Sequence, residues 1–337
     1  MKTPEVFIDC EFLENYFINL SNDDNEITKD FIRFLKTLKE FKLFTTHNNI
    51  NEVLQCINEN PLFDYLIGGK PIEICYFKME DILDYIIKNS KTRSPFKLFF
   101  LETEDVHVTS HGYECINSSN LIKKWEKYTL LNPNNIKKTT KDKSIPKGER
   151  LEKWEDLNDF KHPINSIVIS DRYVLTDKTN QKIQDNLIPL LKVLLNDLNF
   201  KTTANIIILT DNINIKIEAL YNFINDKLKK ELEINFCLSI VVYPPHIKPE
   251  HFRRIYTNYF CIKAENSLNV FKENNSYIDD NNNISFEFIF NSRNYYKLVK
   301  ELSDISYQIS KIENREPIGS ESEKIFYYKD KTNPLLT

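Results

Sequence analysis

Apolar runs and helical periodicity alternate along residues 1–131. Compact apolar stretches, bounded by polar residues, glycine or proline, predict buried strands at 5–9, 71–77 and 95–102. Apolar positions at helical spacing predict helices that begin directly after Asp9 and at 31–44, 49–60, 79–90 and 118–131. The order β-α-α-β-α-β in residues 1–110 predicts an α/β layer domain with parallel strand pairing.

The same patterns predict a second α/β unit, with a mixed sheet, in residues 161–312. Strands at 164–175, 204–212 and 234–245 alternate with helices at 186–198 and 215–232. Two adjoining extended runs at 251–260 and 261–271, a strand at 284–290 and a closing helix at about 294–312 follow. In the tail, 313–337, the sequence IFYY predicts a short edge strand, and the alternative is a mobile terminus.

A polar, basic stretch separates the two units. Residues 132–160 predict a linker, so the expected domains are 1–131 and 161–312, followed by the tail. The stretch carries its cations at Lys137, Lys138, Lys141, Lys143, Lys147 and Arg150. As an alternative to a purely solvated linker, these side chains could form a flexible arm that touches phosphates.

Composition narrows the class of protein. The net charge of −4 excludes a uniformly basic nucleic-acid binder, so any basic surface must be local. The six cysteines are dispersed without a C-x-x-C pair, which is typical of reduced, buried thiols. With no signal-like N-terminus and no apolar run near about 18 residues, we expect a cytoplasmic protein without a membrane span. The abundance of Asn, Lys and Ile is typical of an AT-rich bacterial genome.

Acidic residues follow two predicted strands of the first unit. Asp9 and Glu11 come after the strand at 5–9, and Glu102, Glu104 and Asp105 come after the strand at 95–102. Because ligands bind outside the carboxyl ends of parallel strands, Asp9, Glu102 and Asp105 are candidate ligands for Mg²⁺ or Mn²⁺. The alternative is that they are solvated turn residues or caps, with Asp9 capping the helix that follows.

The pattern FIDCEF…LFFLETED resembles the metal-dependent nucleases with PIN-type domains, whose first strand also ends on an aspartate. The resemblance covers at most residues 1–110 and implies metal-dependent cleavage of nucleic acid. The second acidic motif of such a site, on a middle helix, has only Glu52 as a candidate.

His107, His111 and Cys115 are spaced four residues apart. On a helix this spacing would present three zinc ligands on one face. The alternation Val-His-Val and the neighbouring Thr, Ser and Gly instead favour strand and turn, so ordinary hairpin side chains are the preferred interpretation.

The densest polar chemistry lies in HFRRIYTNYFCIKAENSLNVF, residues 251–271. It resembles the half-site of the phospholipase D superfamily, a His-x-Lys-x4-Asp strand followed by a Gly-Ser-x-x-Asn element. The matching residues are His251, Arg253, Asn258, Ser267 and Asn269. In that family one histidine attacks phosphorus while cationic and polar groups bind the phosphate oxygens. Here arginine replaces the lysine, asparagine replaces the aspartate, and one copy is evident.

The same stretch, with ISDRYVL and NLIPLLKVLL upstream, is also similar to the degenerate phospholipase-D-like domain of proteins that carry MIT domains. That resemblance, over about residues 160–312, implies binding of anionic groups or partners without catalysis. On a strand, His251 and Arg253 share one face and Arg254 takes the other. We therefore expect an anion pocket in which His251 and Arg253 meet Ser267 and Asn269, with Arg254 and Asn258 as further candidate ligand residues. The alternative is that the histidine and the two arginines make only local contacts.

These features predict a binding or regulatory protein whose second unit holds a phosphate-bearing ligand, a nucleic acid or a nucleotide. A two-domain build with an acidic effector site suits bacterial defence or nucleic-acid processing, by association only. One alternative is an enzyme, either a metal-dependent nuclease or a phosphodiesterase using His251 with a second copy from a dimer partner. The other is a protein-interaction scaffold.

Overall fold

The chain folds into a mixed α/β protein with two sheets, as the sequence predicts. The computed structural model describes residues 4–20, 25–38, 40–61, 73–87, 94–103, 105–195, 202–243, 253–274, 276–313, 326–327 and 333–336. Within these residues one sheet has five strands and the other has eight. None of the described helices is long and apolar enough to cross a membrane.

The five-stranded sheet is parallel throughout. Its strands are β1 (Glu5–Asp9), β2 (Glu40–Thr45), β3 (Glu73–Lys78), β4 (Lys97–Phe100) and β5 (Glu114–Ile116). Their spatial order is β3-β2-β1-β4-β5, and every neighbouring pair is parallel. The chain runs outward from β1 to β3 and returns to the other side of β1 as β4, so the strand order reverses between β1 and β4.

Both faces of the central strands β1 and β4 are buried, as is usual in a parallel sheet. On one face Phe7 stacks on Phe99, with ring centroids 4.5 Å apart. On the other face Ile8 and Phe100 join a different apolar cluster. The connecting helices are α1 (Cys10–Leu20), α2 (Glu26–Thr37), α3 (Ile50–Glu59), α4 (Ile82–Ile87), α5 (Val106–Ser110) and α6 (Leu121–Thr129).

Two sequence predictions in this unit are wrong. The predicted helix at 31–44 is divided, because α2 ends at Thr37 and β2 follows. Phe41 and Leu43 enter one apolar cluster and Phe44 enters the other, which is the two-residue period of a strand. The predicted strand and turn at 106–117 begin with the short helix α5, and the positive φ of Gly112, 76°, then turns the chain into β5.

The eight-stranded sheet is mixed. Its order is β13-β9-β8-β7-β10-β11-β12-β6, with β7, β8 and β9 mutually parallel and the remaining pairs antiparallel. Its strands are β6 (Lys137–Lys138), β7 (Ser166–Ser170), β8 (Ala204–Thr210), β9 (Phe236–Val242), β10 (Arg254–Thr257), β11 (Phe260–Ala264), β12 (Asn283–Phe288) and β13 (Phe326–Tyr327). Its helices are α7 (Ile188–Leu195), α8 (Ile217–Glu231) and α9 (Ser292–Glu313). β13 confirms the predicted edge strand in the tail.

The stretch predicted to be a linker is part of the second sheet and its core. β6 pairs with β12, Lys137 opposite Ile284, at one end of the sheet. A 3₁₀ helix, Trp154–Phe160, then buries Trp154 and Phe160. Phe160 stacks on Phe286 with ring centroids 3.8 Å apart. The polar composition of residues 132–160 concealed four well-spaced apolar anchors, Leu151, Trp154, Leu157 and Phe160, all of which are buried.

The two sheets share a continuous apolar core. Phe288, at the end of β12, lies 6.2 Å from Phe34 of α2 and 5.0 Å from Tyr128 of α6 between ring centroids. Polar bonds cross the same boundary, since the backbone N–H of Glu114 donates to the hydroxyl of Tyr259 at 2.6 Å. The packing therefore joins the two α/β units directly.

Candidate functional site

The second sheet has its own reversal of strand order, between β7 and β10. The parallel strands β7, β8 and β9 progress to one side, and β10 then returns antiparallel on the other side of β7, with Arg254 opposite Ser170. The crevice outside the carboxyl end of such a strand is where ligands bind in open α/β sheets. The residues that follow β7 are Asp171, Arg172 and Tyr173.

Asp171, directly after β7, is fully buried. One carboxylate oxygen accepts the backbone N–H of Tyr173 at 2.6 Å, and the other accepts the backbone N–H of Leu268 at 2.7 Å and the hydroxyl of Ser267 at 3.3 Å. Burial raises the pKa of Asp171, while these donors and the nearby charge of Arg253 act in the opposite direction. The surroundings form an anion site that the chain fills with its own carboxylate.

Arg253 adopts an uncommon backbone conformation beside Asp171. Its φ is 95°, outside the regions that a residue with a side chain readily occupies. The strain is held by the backbone N–H, which donates to Ser170 O, and by the guanidinium, which donates to Glu265 O. These two bonds fix Arg253 between the end of β7 and the turn after β11.

The structure brings together three of the five residues that matched the phospholipase D pattern. Arg253 and Ser267 meet around Asp171, and Asn269 lies beside them, its side-chain amide donating to Tyr173 O at 2.6 Å. Asn258 lies at the opposite end of β10, where it accepts the N–H of Asn165 at 3.2 Å. His251 lies outside the described residues.

Arg254, a further candidate ligand residue in the sequence, lies in a structural ion pair instead. Its guanidinium pairs with Glu301 of α9, and Tyr256 donates to the same carboxylate at 3.0 Å. Despite burial, the carboxylate raises the pKa of Arg254. This side chain anchors α9 to the sheet.

Arg172 and Tyr173 were not singled out as ligand residues by the sequence. Arg172 pairs through Nε with Asp211 at the end of β8, 3.2 Å away, and its side chain is 47% exposed. The Arg172 guanidinium also lies 5.8 Å from the centroid of the Tyr173 ring. Tyr173 is 41% exposed. The available signal was their place directly after the fully buried strand β7, because ligands bind outside the carboxyl ends of such strands.

The basic residues of the stretch predicted to be a linker lie on and after β6. This strand is at the edge of the second sheet opposite to β13. Lys137 is buried, donating to Gly148 O, with its ammonium 5.7 Å from the centroid of the Phe160 ring. Lys138 pairs with Asn283 in the strand ladder. Lys141 forms a 3.3 Å ion pair with Asp280, and Lys143 is exposed. The structure therefore spreads these lysines among different partners.

The second candidate site lies at the carboxyl ends of β1 and β4, where the strand order of the first sheet reverses. Asp9 ends β1, and its carboxylate accepts the N–H of Phe12 in α1 and the N–H of Glu102 after β4, the latter at 2.8 Å. The Glu102 carboxylate in turn accepts the hydroxyl of Ser118 at 2.8 Å. Burial raises the pKa of Asp9 to about 6, and the negative charges of Glu11 and Glu102 add to the rise.

The remaining candidate metal ligands are used elsewhere. Asp105 caps α5 by accepting the N–H of His107 at 2.7 Å. His111 Nδ1 lies 2.6 Å from His107 O, and Cys115 is buried on β5. Among the described residues, no group of three or more His, Cys, Asp or Glu side chains is placed to hold a metal ion. The capping role considered for Asp9 is confirmed, and the contact between Asp9 and Glu102 is made through the Glu102 backbone N–H, while the Glu102 carboxylate binds Ser118.

Comparisons with known proteins give no match to a family model, a curated protein or a solved structure. The functional interpretation therefore rests on the geometry of the two crevices.

Proposed function

We propose that the protein binds a phosphate-bearing ligand, a nucleic acid or a nucleotide, at the crevice outside the carboxyl end of β7. The observation that carries this proposal is the grouping of Arg172, Tyr173 and Arg253 at the point where the strand order of the mixed sheet reverses. Two guanidiniums supply charge and planar donor geometry for phosphate oxygens. A half-exposed tyrosine supplies a stacking face for a base.

The carboxylate of Asp171 limits where a ligand phosphate can bind. Ser267, the N–H of Leu268 and the charge of Arg253 are directed at Asp171, so a phosphate cannot occupy the same place. A ligand phosphate is therefore held at the outer rim, by Arg172 and the exposed side of Arg253. This arrangement supports binding without the nucleophilic chemistry of a phospholipase-D-type enzyme.

The proposal is tested by fluorescence anisotropy with a short fluorescein-labelled single-stranded DNA. Tyr173→Ala should weaken binding about 5- to 150-fold, which corresponds to the roughly 1–3 kcal/mol of one base–aromatic stack, and Tyr173→Phe should retain it. Arg253→Ala should lower the slope of log affinity against log salt by about 0.7, the value for one lost phosphate contact on a single strand.

Arg33→Ala is the matched control, since Arg33 is 67% exposed and belongs to helix α2 beside the first sheet. If the unmodified chain shows no salt-sensitive binding, or if the Tyr173 and Arg253 variants bind as the Arg33 variant does, the proposal is wrong. Cleavage that resists EDTA and is lost in His251→Ala would identify a phosphodiesterase instead.

The second candidate function is metal-dependent cleavage of nucleic acid at the first sheet. It is favoured by one observation: the carboxylate of Asp9, at the end of β1, accepts the backbone N–H of Glu102 after the neighbouring strand β4, where the strand order reverses. It predicts cleavage that requires Mg²⁺ or Mn²⁺ and is abolished by Asp9→Asn but retained in Asp105→Asn, because Asp105 caps α5. Metal-dependent cleavage that survives Asp9→Asn would exclude this site.

A further inference from the structure

A cavity of about 360 Å³ lies beside the 3₁₀ helix Trp154–Phe160. Its volume falls within the range of about 300–1,000 Å³ that small-molecule sites occupy. Among the described residues its lining consists of Lys153, Trp154, Glu155, Asp185, Pro189 and Phe271. None of these residues belongs to the proposed phosphate site, so the cavity is a separate feature of the second α/β unit.

Part of the lining is apolar and fixed in the core. Trp154 is 2% exposed and Phe271 is 1% exposed. Their rings meet edge to face, with centroids 5.5 Å apart and an interplanar angle of 88°. Pro189, near the start of α7, adds a further apolar surface. This aromatic wall suits an aliphatic chain, since burial of apolar surface away from water is favourable.

A π-helical turn places Asp185 at the cavity. The turn is formed by Ile183–Leu187, and such turns are rare and frequently lie at functional sites. It is held by Asn186, which is fully buried and accepts the backbone N–H groups of Val270 and Phe271 at 2.8 and 2.7 Å. Asn186 therefore ties the turn that carries Asp185 to the aromatic wall.

The charged part of the lining is unequal in sign. Asp185 and Glu155 are acidic and Lys153 is basic, and none of the three forms an ion pair with another described residue. Burial raises the pKa of Asp185, and the negative charges of Glu273 and Asp177 add to the rise. A carboxylate beside other negative charges is stabilised by a cation. The cavity therefore favours a ligand with more positive than negative groups.

We propose that this cavity binds a basic α-amino acid, whose two cationic groups and one carboxylate complement the two acidic side chains and one basic side chain of the lining. Asp185 and Glu155 accept hydrogen bonds from the cationic groups, and Lys153 binds the ligand carboxylate. The aliphatic part of the ligand packs on Trp154 and Phe271. A guanidinium offers planar paired donors to a carboxylate, so L-arginine is the probe.

The test is isothermal titration calorimetry of the full-length chain with L-arginine. We expect binding with a Kd below about 1 mM. L-citrulline, in which a neutral urea group replaces the guanidinium, should bind at least about tenfold more weakly, because a hydrogen bond between charged groups is lost. Agmatine, which lacks the carboxylate, should also bind at least about tenfold more weakly for the same reason.

Two near-isosteric variants assign the binding to the cavity. Asp185→Asn and Glu155→Gln each remove one negative charge and should weaken the binding of L-arginine at least about tenfold. Asp226→Asn, in an exposed position on α8, is the matched control and should leave the affinity unchanged. Lys153→Ala should weaken the binding of L-arginine but not of agmatine, since it removes only the partner of the carboxylate.

Three results would each overturn the proposal. They are the absence of binding of L-arginine, equal affinities for L-arginine and L-citrulline, and unchanged affinity in both Asp185→Asn and Glu155→Gln when circular dichroism shows that the variants are folded. An equal weakening in Asp226→Asn would also overturn it, because the net negative charge of the chain, rather than the cavity, would then attract the ligand. The comparison of the two ligands needs no variant, so it decides the question even if a variant does not fold.

Discussion

The hydroxyl of Ser267 donates a hydrogen bond to the carboxylate of Asp171, 96 positions earlier in the chain, at 3.3 Å. This bond explains why a sequence that resembles a phosphate-binding motif does not leave an open phosphate pocket. The serine and the backbone after it bind an anion, but the anion belongs to the strand β7. A ligand therefore has access only to the outer edge of this site.

Loss of the Asp171 carboxylate should destabilise the fold. Asp171→Ala leaves the buried N–H groups of Tyr173 and Leu268 without an acceptor, and each unsatisfied donor costs roughly 1–3 kcal/mol. We expect the free energy of unfolding, measured in urea, to fall by about 2–4 kcal/mol. Asp171→Asn, which keeps one acceptor oxygen, should lose less, and the exposed Asp226→Ala should change stability by less than about 0.5 kcal/mol. Equal losses for Asp171→Ala and Asp226→Ala would contradict this role.

Asp9 should make stability depend on pH in the acidic range. Its pKa in the folded chain is raised from 3.8 to about 6, so the folded state binds its proton more tightly than the unfolded state. The stabilising contribution is present below pH 3.8 and is lost as the pH rises through 6. Relative to Asp9→Asn, the unmodified chain should lose about 2–3 kcal/mol between pH 4 and pH 7, by urea unfolding. A constant difference across that range would refute the raised pKa.

His162 should affect the pH dependence of stability in the direction opposite to Asp9. It is buried beside Tyr128 and Tyr259, with Glu114 3.7 Å away and Lys124 bound to the same carboxylate. Burial lowers the pKa of His162 below 6.5, although Glu114 opposes the shift; the positive charge of Lys127 adds to it.

A lowered histidine pKa means that the unfolded chain binds the proton more tightly. The stability that the neutral ring contributes is present above pH 6.5 and is lost as the pH falls. As the pH falls from 7 to 5, the variant His162→Leu should therefore end with a higher free energy of unfolding, relative to its value at pH 7, than the unmodified chain does. The same change in both chains would show that His162 does not contribute to the pH dependence.

Residues 132–160, which the sequence predicts to be a linker, should contribute to stability as core residues do. Phe160→Ala removes the ring that stacks on Phe286 at 3.8 Å and should lower the free energy of unfolding by about 3–5 kcal/mol. Lys143→Ala, in an exposed position of the same stretch, should leave stability within about 0.5 kcal/mol. Limited proteolysis that cuts residues 147–160 first, together with a neutral Phe160→Ala, would restore the linker interpretation.

The sequence by itself determined the α/β class, most strands and the acidic ends of β1 and β4. These features depend on local periodicity, in which buried faces repeat every two residues on strands and about every 3.6 on helices. The same signal became ambiguous at 31–44, where Phe41, Leu43 and Phe44 fit either period until β1 provided a neighbouring strand.

Only the tertiary structure decided what the polar residues do. The carboxylate of Asp171 meets Ser267 and Leu268, and Phe160 meets Phe286, between segments far apart in the chain. Local patterns show that a side chain is polar or apolar, but they do not show which distant group satisfies it. The whole fold determines which hydrogen bonds form and which apolar side chains are buried. In this fold the predicted linker contributes to the core, and the carboxylate of Asp171 occupies the position expected for a bound anion.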